Sequence, residues 1–282
     1  MEKLVVIGLG LIGGSLALDL KKRNGYKVYG IDADATHVKK ALSLGVIDAE
    51  TNFSEISDAS VVIVAVPVDV IPKVIKKVLD NVSKNTLVFD VGSVKNEICK
   101  EVSKHPNRKN YVAAHPLAGT EFSGPEAAIL NLFDEKVNIL CETEKSDWKI
   151  LDKALSLFKQ LNMRIKMMNP EEHDRHIAYV SHLSHVSSFM LGKTVLGIEK
   201  NEQHIFDMAS TGFASTVRLA KSSATTWAPI FLQNKENIIR SLDEYIKNLK
   251  EFKLHIENNN DEALKEIMNN TNYIKTILNG IE

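Results

Sequence analysis

An α/β fold with a parallel sheet in its first half, followed by an all-α second half, is predicted by three observations. Between residues 4 and 168, short apolar and β-branched runs alternate with stretches of helical composition. The first of these runs leads into a glycine-rich turn, Gly8-Leu9-Gly10-Leu11-Ile12-Gly13. After Met168 the strand pattern stops. Such alternation implies right-handed βαβ crossovers, and so a parallel sheet with helices on both faces.

Residues 4–7 read as the first strand and 15–22 as a helix. Asn24-Gly25 makes a turn into a second strand, 27–31, which ends on Asp32, 19 residues beyond Gly13. Strand, GxGxxG, helix, strand and acid in this order form a dinucleotide-binding, Rossmann-type unit. Gly8 permits the tight turn, Gly10 lets the backbone approach a pyrophosphate, and Gly13 lets the helix pack close on the strand. The free N–H groups at the helix start would meet the phosphates. A purely structural glycine turn is the alternative. The Asp32 carboxylate would accept hydrogen bonds from the adenosine ribose hydroxyls and, with Asp34, repel a 2′-phosphate. This favours NAD over NADP.

Residues 38–44 read as helix and 61–66 as strand, followed by Pro67 and a helix over about 70–79. A strand at 87–90 leads to Gly92-Ser93 and a helix from 94 to about 104. The strand at 111–114 ends on His115-Pro116. Ligands of parallel sheets bind at the carboxyl ends of the strands, so Val66-Pro67, Ser93 and His115 should share one edge. Ser93 reads as a helix N-cap, as a hydroxyl within reach of His115, or as both. The expected cofactor-binding set is Gly8, Gly10, Leu11, Ile12, Gly13, Asp32, Val66 and Pro67. Residues 136–141 and 163–168 read as two further strands around a helix over about 147–161, closing a first domain at 1–168.

Asn169-Pro170-Glu171-Glu172 has the form of a helix start, with a capping Asn and Pro at the first helical position. The helix it begins extends to about 196 and is apolar nearly all round, which marks it as buried. At 100° per residue, His173 and His176 share one side and His182 and His185 the opposite side. His182 and His185 read as structural histidines, as metal ligands or as a polar patch facing a substrate. No further ligands of recognisable spacing join them, and no metal is expected. Arg218 reads as a surface charge with a packed stem, or as a bidentate clamp for a carboxylate. Trp227 starts the next helix, with Thr226 as its cap and Pro229 in its first turn. Ile238, Leu242, Tyr245, Leu249, Phe252 and Ile256 repeat at four-three spacing, a helix–helix seam within the chain or between two copies. A last helix covers about 261–278, and the second domain is 169–282.

Of the 282 residues, 44 % are apolar and 25 % charged, a balance suited to one or two globular domains. The 35 basic and 36 acidic residues form no dense basic block, which argues against nucleic-acid binding. Cys99 and Cys141 are far apart without a CxxC and fit a reduced, cytoplasmic protein. No leader pattern opens the chain, and no window nears the roughly 18 unbroken apolar residues of a membrane span. Neither secretion nor a membrane partner is expected.

GLGLIGGSLA at 8–17, DVGSVK at 90–95, HPLAGTE at 115–121, SHLSH at 181–185 and the run from Arg218 to Asn237 resemble the prephenate dehydrogenase family, which also includes arogenate dehydrogenases. The resemblance covers nearly the whole chain. It implies a Rossmann domain followed by a helical dimerisation domain, with the active site between them and a homodimer as the working form. It implies NAD-dependent oxidative decarboxylation of prephenate to 4-hydroxyphenylpyruvate in tyrosine biosynthesis, or of arogenate to tyrosine. His115 would accept the proton of the ring hydroxyl, and Ser93 would help orient it. Arg218 would bind the ring carboxylate, while His185 and, from the partner subunit, Trp227 would lie around the side chain. Glu121 would gate the pocket and His182 would support it.

One position departs from the family. Many members carry Asp three residues before the arginine, where this chain has Ser215. A β-hydroxyacid dehydrogenase would need a Lys-x-x-x-Asn pair on the central helix, but Lys193 is followed four residues later by Gly197. A non-catalytic NAD-sensing module would not need base, serine and arginine together.

Overall fold

The computed structural model describes residues 1–199 and 205–278. Its centre is an eight-stranded sheet in the order β3-β2-β1-β4-β5-β6-β7-β8. The strands are β1 (Lys3–Ile7), β2 (Lys27–Ile31), β3 (Ala49–Glu50), β4 (Val61–Val64), β5 (Leu87–Asp90), β6 (Tyr111–Pro116), β7 (Val137–Cys141) and β8 (Arg164–Met168). Between them lie α1 (Leu11–Asn24), α2 (Ala35–Ser43), α3 (Ile71–Asn81), α4 (Asn96–Val102) and α5 (Trp148–Gln160).

The strands alternate their side chains between two cores, as a period of two requires. Leu4 and Val6 face one cluster with Leu16, Phe89 and Phe158. Val5 and Ile7 face another with Ile75, Val88 and Tyr111. β4 and β5 are buried along their whole length, which explains their unbroken apolar reading. β1 pairs in parallel with both β2 and β4, so the strand order reverses at β1. Ligands bind outside the strand ends at such a switch point.

The sheet is mixed, not wholly parallel. β7 runs antiparallel to β6, from Pro116↔Asn138 to Ala113↔Cys141. The reason is in the connection, residues 117–136, which contains no α-helix to carry the chain back across the sheet. This loop stays at the edge where β6 ends. The strand expected at 111–114 continues to Pro116, so His115 lies inside it. β3, two residues long, has no counterpart in the sequence reading.

The second half begins with α6 (Pro170–Ile177), capped by the Asn169 side chain, which accepts the Glu172 N–H at 2.7 Å. A π-helical turn at Ala178–His182 joins it to α7 (Leu183–Glu199). Next come α8 (Thr211–Thr216) and α9 (Ala224–Gln233). Ser223 is the N-cap of α9, Trp227 lies within its first turn and Pro229 inside it, so the helix begins three residues before the start expected at Trp227. α10 (Lys235–Glu257), α11 (Asp261–Thr271) and α12 (Ile274–Leu278) complete the chain. The single last helix expected over 261–278 is broken at Asn272-Tyr273.

Contacts divide the chain into Met1–Lys235 and Glu236–Glu282. The boundary expected after residue 168 falls inside the first unit. In the second unit the seam is unevenly covered: Ile238 is buried, Leu242, Tyr245 and Phe252 are half-buried, and Leu249 and Ile256 are 51 % and 55 % exposed. No helix among the described residues is long and apolar enough to cross a membrane.

Candidate active site

A cleft of about 350 Å³ opens where β1, β4, β5 and β6 end. Gly10, Leu11, Ile12, Val66 and Pro67 line one part of it, and Ser93, His115, Glu121 and Trp227 another. The three strand ends that the alternation places on one edge therefore meet in one cavity.

The glycines of the first turn have separate duties. Gly8 has φ +94°, and a Cβ there would lie 2.4 Å from the Ala65 carbonyl oxygen. A Cβ on Gly13 would stand 2.0 Å from the Gly8 oxygen, which is what allows α1 to sit so close to β1. A Cβ on Gly10 would meet nothing within 4 Å. Gly10 is also the N-cap of α1 and supplies no side-chain cap, so the helix start keeps free N–H groups for an anion. Asp32 accepts the Leu9 N–H at 2.8 Å and the Asp34 N–H at 2.9 Å, one on each oxygen. Each oxygen retains a lone pair for a ribose hydroxyl.

His115 is buried, 7 % exposed, and its Nδ1 lies 2.8 Å from Nε2 of His173. His173 Nδ1 in turn lies 2.7 Å from Asp174 Oδ1. The ionised carboxylate only accepts, so His173 carries its proton on Nδ1 and accepts at Nε2. That makes His115 Nδ1 a donor and leaves the lone pair of His115 Nε2 for the cleft. Burial is the largest force holding the His115 pKa well below the usual histidine value, followed by the neighbouring His173, Lys95 and His182. His115 is therefore neutral at pH 7.

Asp174 also caps α4, accepting the N–H groups of Lys95 at 2.7 Å and Asn96 at 2.9 Å. The N-cap position is Lys95, with no cap from its own side chain. Ser93 is not the cap, and its hydroxyl is left half-buried in the cleft wall.

The histidines of the long helix do not divide as the 100° wheel predicts. His173 is buried and His176 exposed. The π-helical turn uses extra residues to complete its circuit and rotates His182 back toward the buried side. There Asn234 Nδ2 donates to the Asp174 carbonyl at 2.7 Å and to His182 Nδ1 at 3.2 Å. His182 Nε2 is buried and has no hydrogen-bond partner among the described residues. Burial pushes its pKa down to about 4, against the opposing pull of Asp174. His182 and His185 do not line the cleft themselves. His185 donates through Nδ1 to the Ser181 carbonyl at 3.0 Å and stacks on Trp227, ring centroids 3.3 Å apart.

Trp227 of the same chain lines this cleft and lies against His185. Arg218 is exposed, has no ion-pair partner among the described residues, and lies close enough to His185 to oppose its protonation. Ser215 spends its hydroxyl on the Gly212 carbonyl, 2.9 Å away. No group of three or more metal-ligating side chains forms among the described residues. His173, Asp174 and Lys95 belong to the site but were not singled out by their spacing, because nothing in the sequence pairs them with His115 across 58, 59 and 20 residues.

A glycine turn at a helix start, an acid just after β2 and a buried histidine at one switch point are the arrangement of a dinucleotide-dependent oxidoreductase. Two family models place it further. One described as prephenate dehydrogenase, nucleotide-binding domain, matches residues 16–167. The other, prephenate dehydrogenase, dimerization domain, matches 169–270. Prephenate dehydrogenase of Bacillus subtilis is 32 % identical over 268 residues, 93 % of this chain and 72 % of that protein. The crystal structure of prephenate dehydrogenase from A. aeolicus in complex with hydroxyphenyl propionate and NAD+ has a TM-score of 0.90 at 32 % identity, covering 99 % of this chain and 98 % of that one. Synechocystis arogenate dehydrogenase is similar at a TM-score of 0.78 and 27 % identity, over 97 % and 99 % of the two chains. The chain belongs to the prephenate dehydrogenase family.

Two glycine variants separate folding from cofactor binding. Gly13→Ala should lower stability by about 1–3 kcal/mol or more, because backbone must move to admit the methyl. Gly10→Ala should melt like the parent yet bind NAD at least tenfold more weakly. Thermal unfolding beside an NAD titration checks both.

Proposed function

We propose that the chain is an NAD-dependent prephenate dehydrogenase, converting prephenate to 4-hydroxyphenylpyruvate and carbon dioxide in tyrosine biosynthesis. The observation that carries this reading is His115, held through Nδ1 by His173 and presenting Nε2 in the cleft that the nucleotide loop also lines. The residues at that loop fit NAD. Gly10 leaves space for a pyrophosphate, the start of α1 offers N–H groups, and Asp32 keeps lone pairs for the ribose while repelling a 2′-phosphate. NAD+, when bound, accepts the hydride from the ring carbon that bears the hydroxyl.

His115 Nε2 takes the hydroxyl proton as that carbon becomes a carbonyl, and the Ser93 hydroxyl orients the same oxygen. The electrons of the bond to the ring carboxylate then flow into the ring, carbon dioxide leaves, and the ring becomes aromatic. The proton on His115 returns to the phenolate oxygen, so atoms and charge balance. Arg218 holds the ring carboxylate, and its exposure without an ion-pair partner among the described residues supports that role. Trp227 forms a flat wall for the side chain with His185 stacked against it, Glu121 gates the mouth, and His182 supports the wall by packing edge-on to Trp227.

The division into 1–168 for NAD and 169–282 for substrate and dimerisation is part of the same proposal. A homodimer is supported by the dimerization-domain match and by Leu249 and Ile256, the exposed apolar residues of the α10 seam. A cytoplasmic location is supported by two buried free cysteines whose thiols are pushed upward by burial. The similarity to Synechocystis arogenate dehydrogenase favours a second reading, in which the substrate carries an amino group in place of the keto group.

NADH formation with prephenate and with arogenate, each with NAD and NADP, decides substrate and cofactor together. Prephenate with NAD should be the preferred pair, and no NADH from either cyclohexadienol would reject the enzyme reading. His115→Asn should reduce turnover by roughly a hundredfold or more. In the parent, kcat/KM should hold at pH 6.5 and fall only at lower pH, because the base works in its neutral form and its pKa is lowered. A fall centred at or above pH 6.5 contradicts the buried-base geometry. Arg218→Ala should raise KM for prephenate by about tenfold to a hundredfold, the worth of a charge-assisted carboxylate contact.

A further inference from the structure

We propose that Lys95 is a positioning residue for the reaction: its buried ammonium locks the strand ends that carry Ser93 and His115 and sets a fixed positive charge beneath the base. This rests on the reading of His115 as the base.

The side chains of Lys95 and Asp90 are wholly buried and form an ion pair. Lys95 Nζ donates to Asp90 Oδ2 and to the carbonyl of Ala114, 2.7 Å away, the residue next to His115. Asp90 Oδ2 also accepts the N–H of Gly92 at 2.8 Å, the residue before Ser93. Its other oxygen accepts the Tyr111 hydroxyl at 2.6 Å and the Ala114 N–H at 3.3 Å. The backbone ladder between β5 and β6 ends at Phe89↔Val112, three residues before His115. Beyond it the strands are joined by this side-chain clamp, which fixes the spacing of the two residues that must meet one substrate oxygen.

A buried ion pair is a poor way to gain stability, since well-packed apolar residues of similar volume do as well or better. Its placement has a use in the chemistry. The groups that face His115 are Lys95 with its counter-ion Asp90, His173 and Asp174 from α6, and His182 from the π-helical turn. Lys95 carries a lasting positive charge among them. When His115 takes the hydroxyl proton, the nearby ammonium disfavours the imidazolium and hastens return of the proton to the phenolate oxygen.

The test uses the full chain with prephenate and NAD. Lys95→Met should lower turnover by about tenfold to a hundredfold, the scale of misplacing reacting groups by around an ångström, with KM for NAD unchanged. It should also move the acid limb of kcat/KM to higher pH. A role in folding alone would lower the melting temperature and leave that limb in place. The pair Asp90→Asn with Lys95→Met leaves no charge unpaired and provides the same readout if the single variant does not fold. An acid limb that stays put in a folded variant overturns the proposal. So does failure of both variants to fold, which would make the clamp a requirement of the fold. If the parent forms NADH and loses it in His115→Asn, a fixed limb counts against Lys95 alone. If the parent forms none, both readings fall together.

Discussion

The buried carboxylate of Asp174 holds three donors: the N–H groups of Lys95 and Asn96 and the Nδ1–H of His173. The first two fix the start of α4, and with it the short loop that carries Ser93. The third sets the proton order of His173 and therefore of His115. One side chain from α6 thus ties the loop at the end of β5 to His115 on β6. The carboxylate gains what it needs in return, since a buried ion is tolerated only when its lone pairs are taken up.

The electrostatics of the site come from burial more than from opposite charge. His115 and His182 both lose proton affinity because a charged imidazole would be removed from water; His173, Lys95 and His182 add to this at His115, and His173 and His185 at His182. Asp174 works against that trend, but its negative charge is already shared among three donors. The remaining ionised pair, Asp90 and Lys95, lies one layer below. Breaking such a pair from one side typically costs about 3–5 kcal/mol, so it is a firm base for the two strand ends above it. A site built this way has a buried floor and a polar mouth that includes Ser93 and Glu121.

Much of this was legible in the sequence because it rests on local rules. The turn at Gly8 to Gly13, the acid at Asp32 and the strand ending on Asp90 each follow from short-range spacing, and each stands where it was expected. His115 and Ser93 were brought together by topology alone, since parallel strands end on one edge. What escaped the sequence depends on geometry that a regular period does not contain. A single π-helical turn ended the validity of the 100° wheel and returned His182 to the buried side. His173 was paired with the exposed His176 by that wheel, which concealed its bond to His115. The antiparallel turn of β7 follows from a helix that is missing, and the two-residue β3 is too short to leave a pattern. Ser93 gave the right residue type for a cap, but the carboxylate doing that work comes from 78 residues or more further along the chain.

Burial keeps His115 neutral, and the chain through His173 to Asp174 holds its lone pair on Nε2. Nitrogen-15 NMR of the histidine-labelled full chain reads this directly, because the ring-nitrogen shifts distinguish the two neutral tautomers from the imidazolium. At pH 7 His115 should be neutral with its proton on Nδ1, and should remain so below pH 6.5. An imidazolium at pH 7, or a proton on Nε2, would contradict the account.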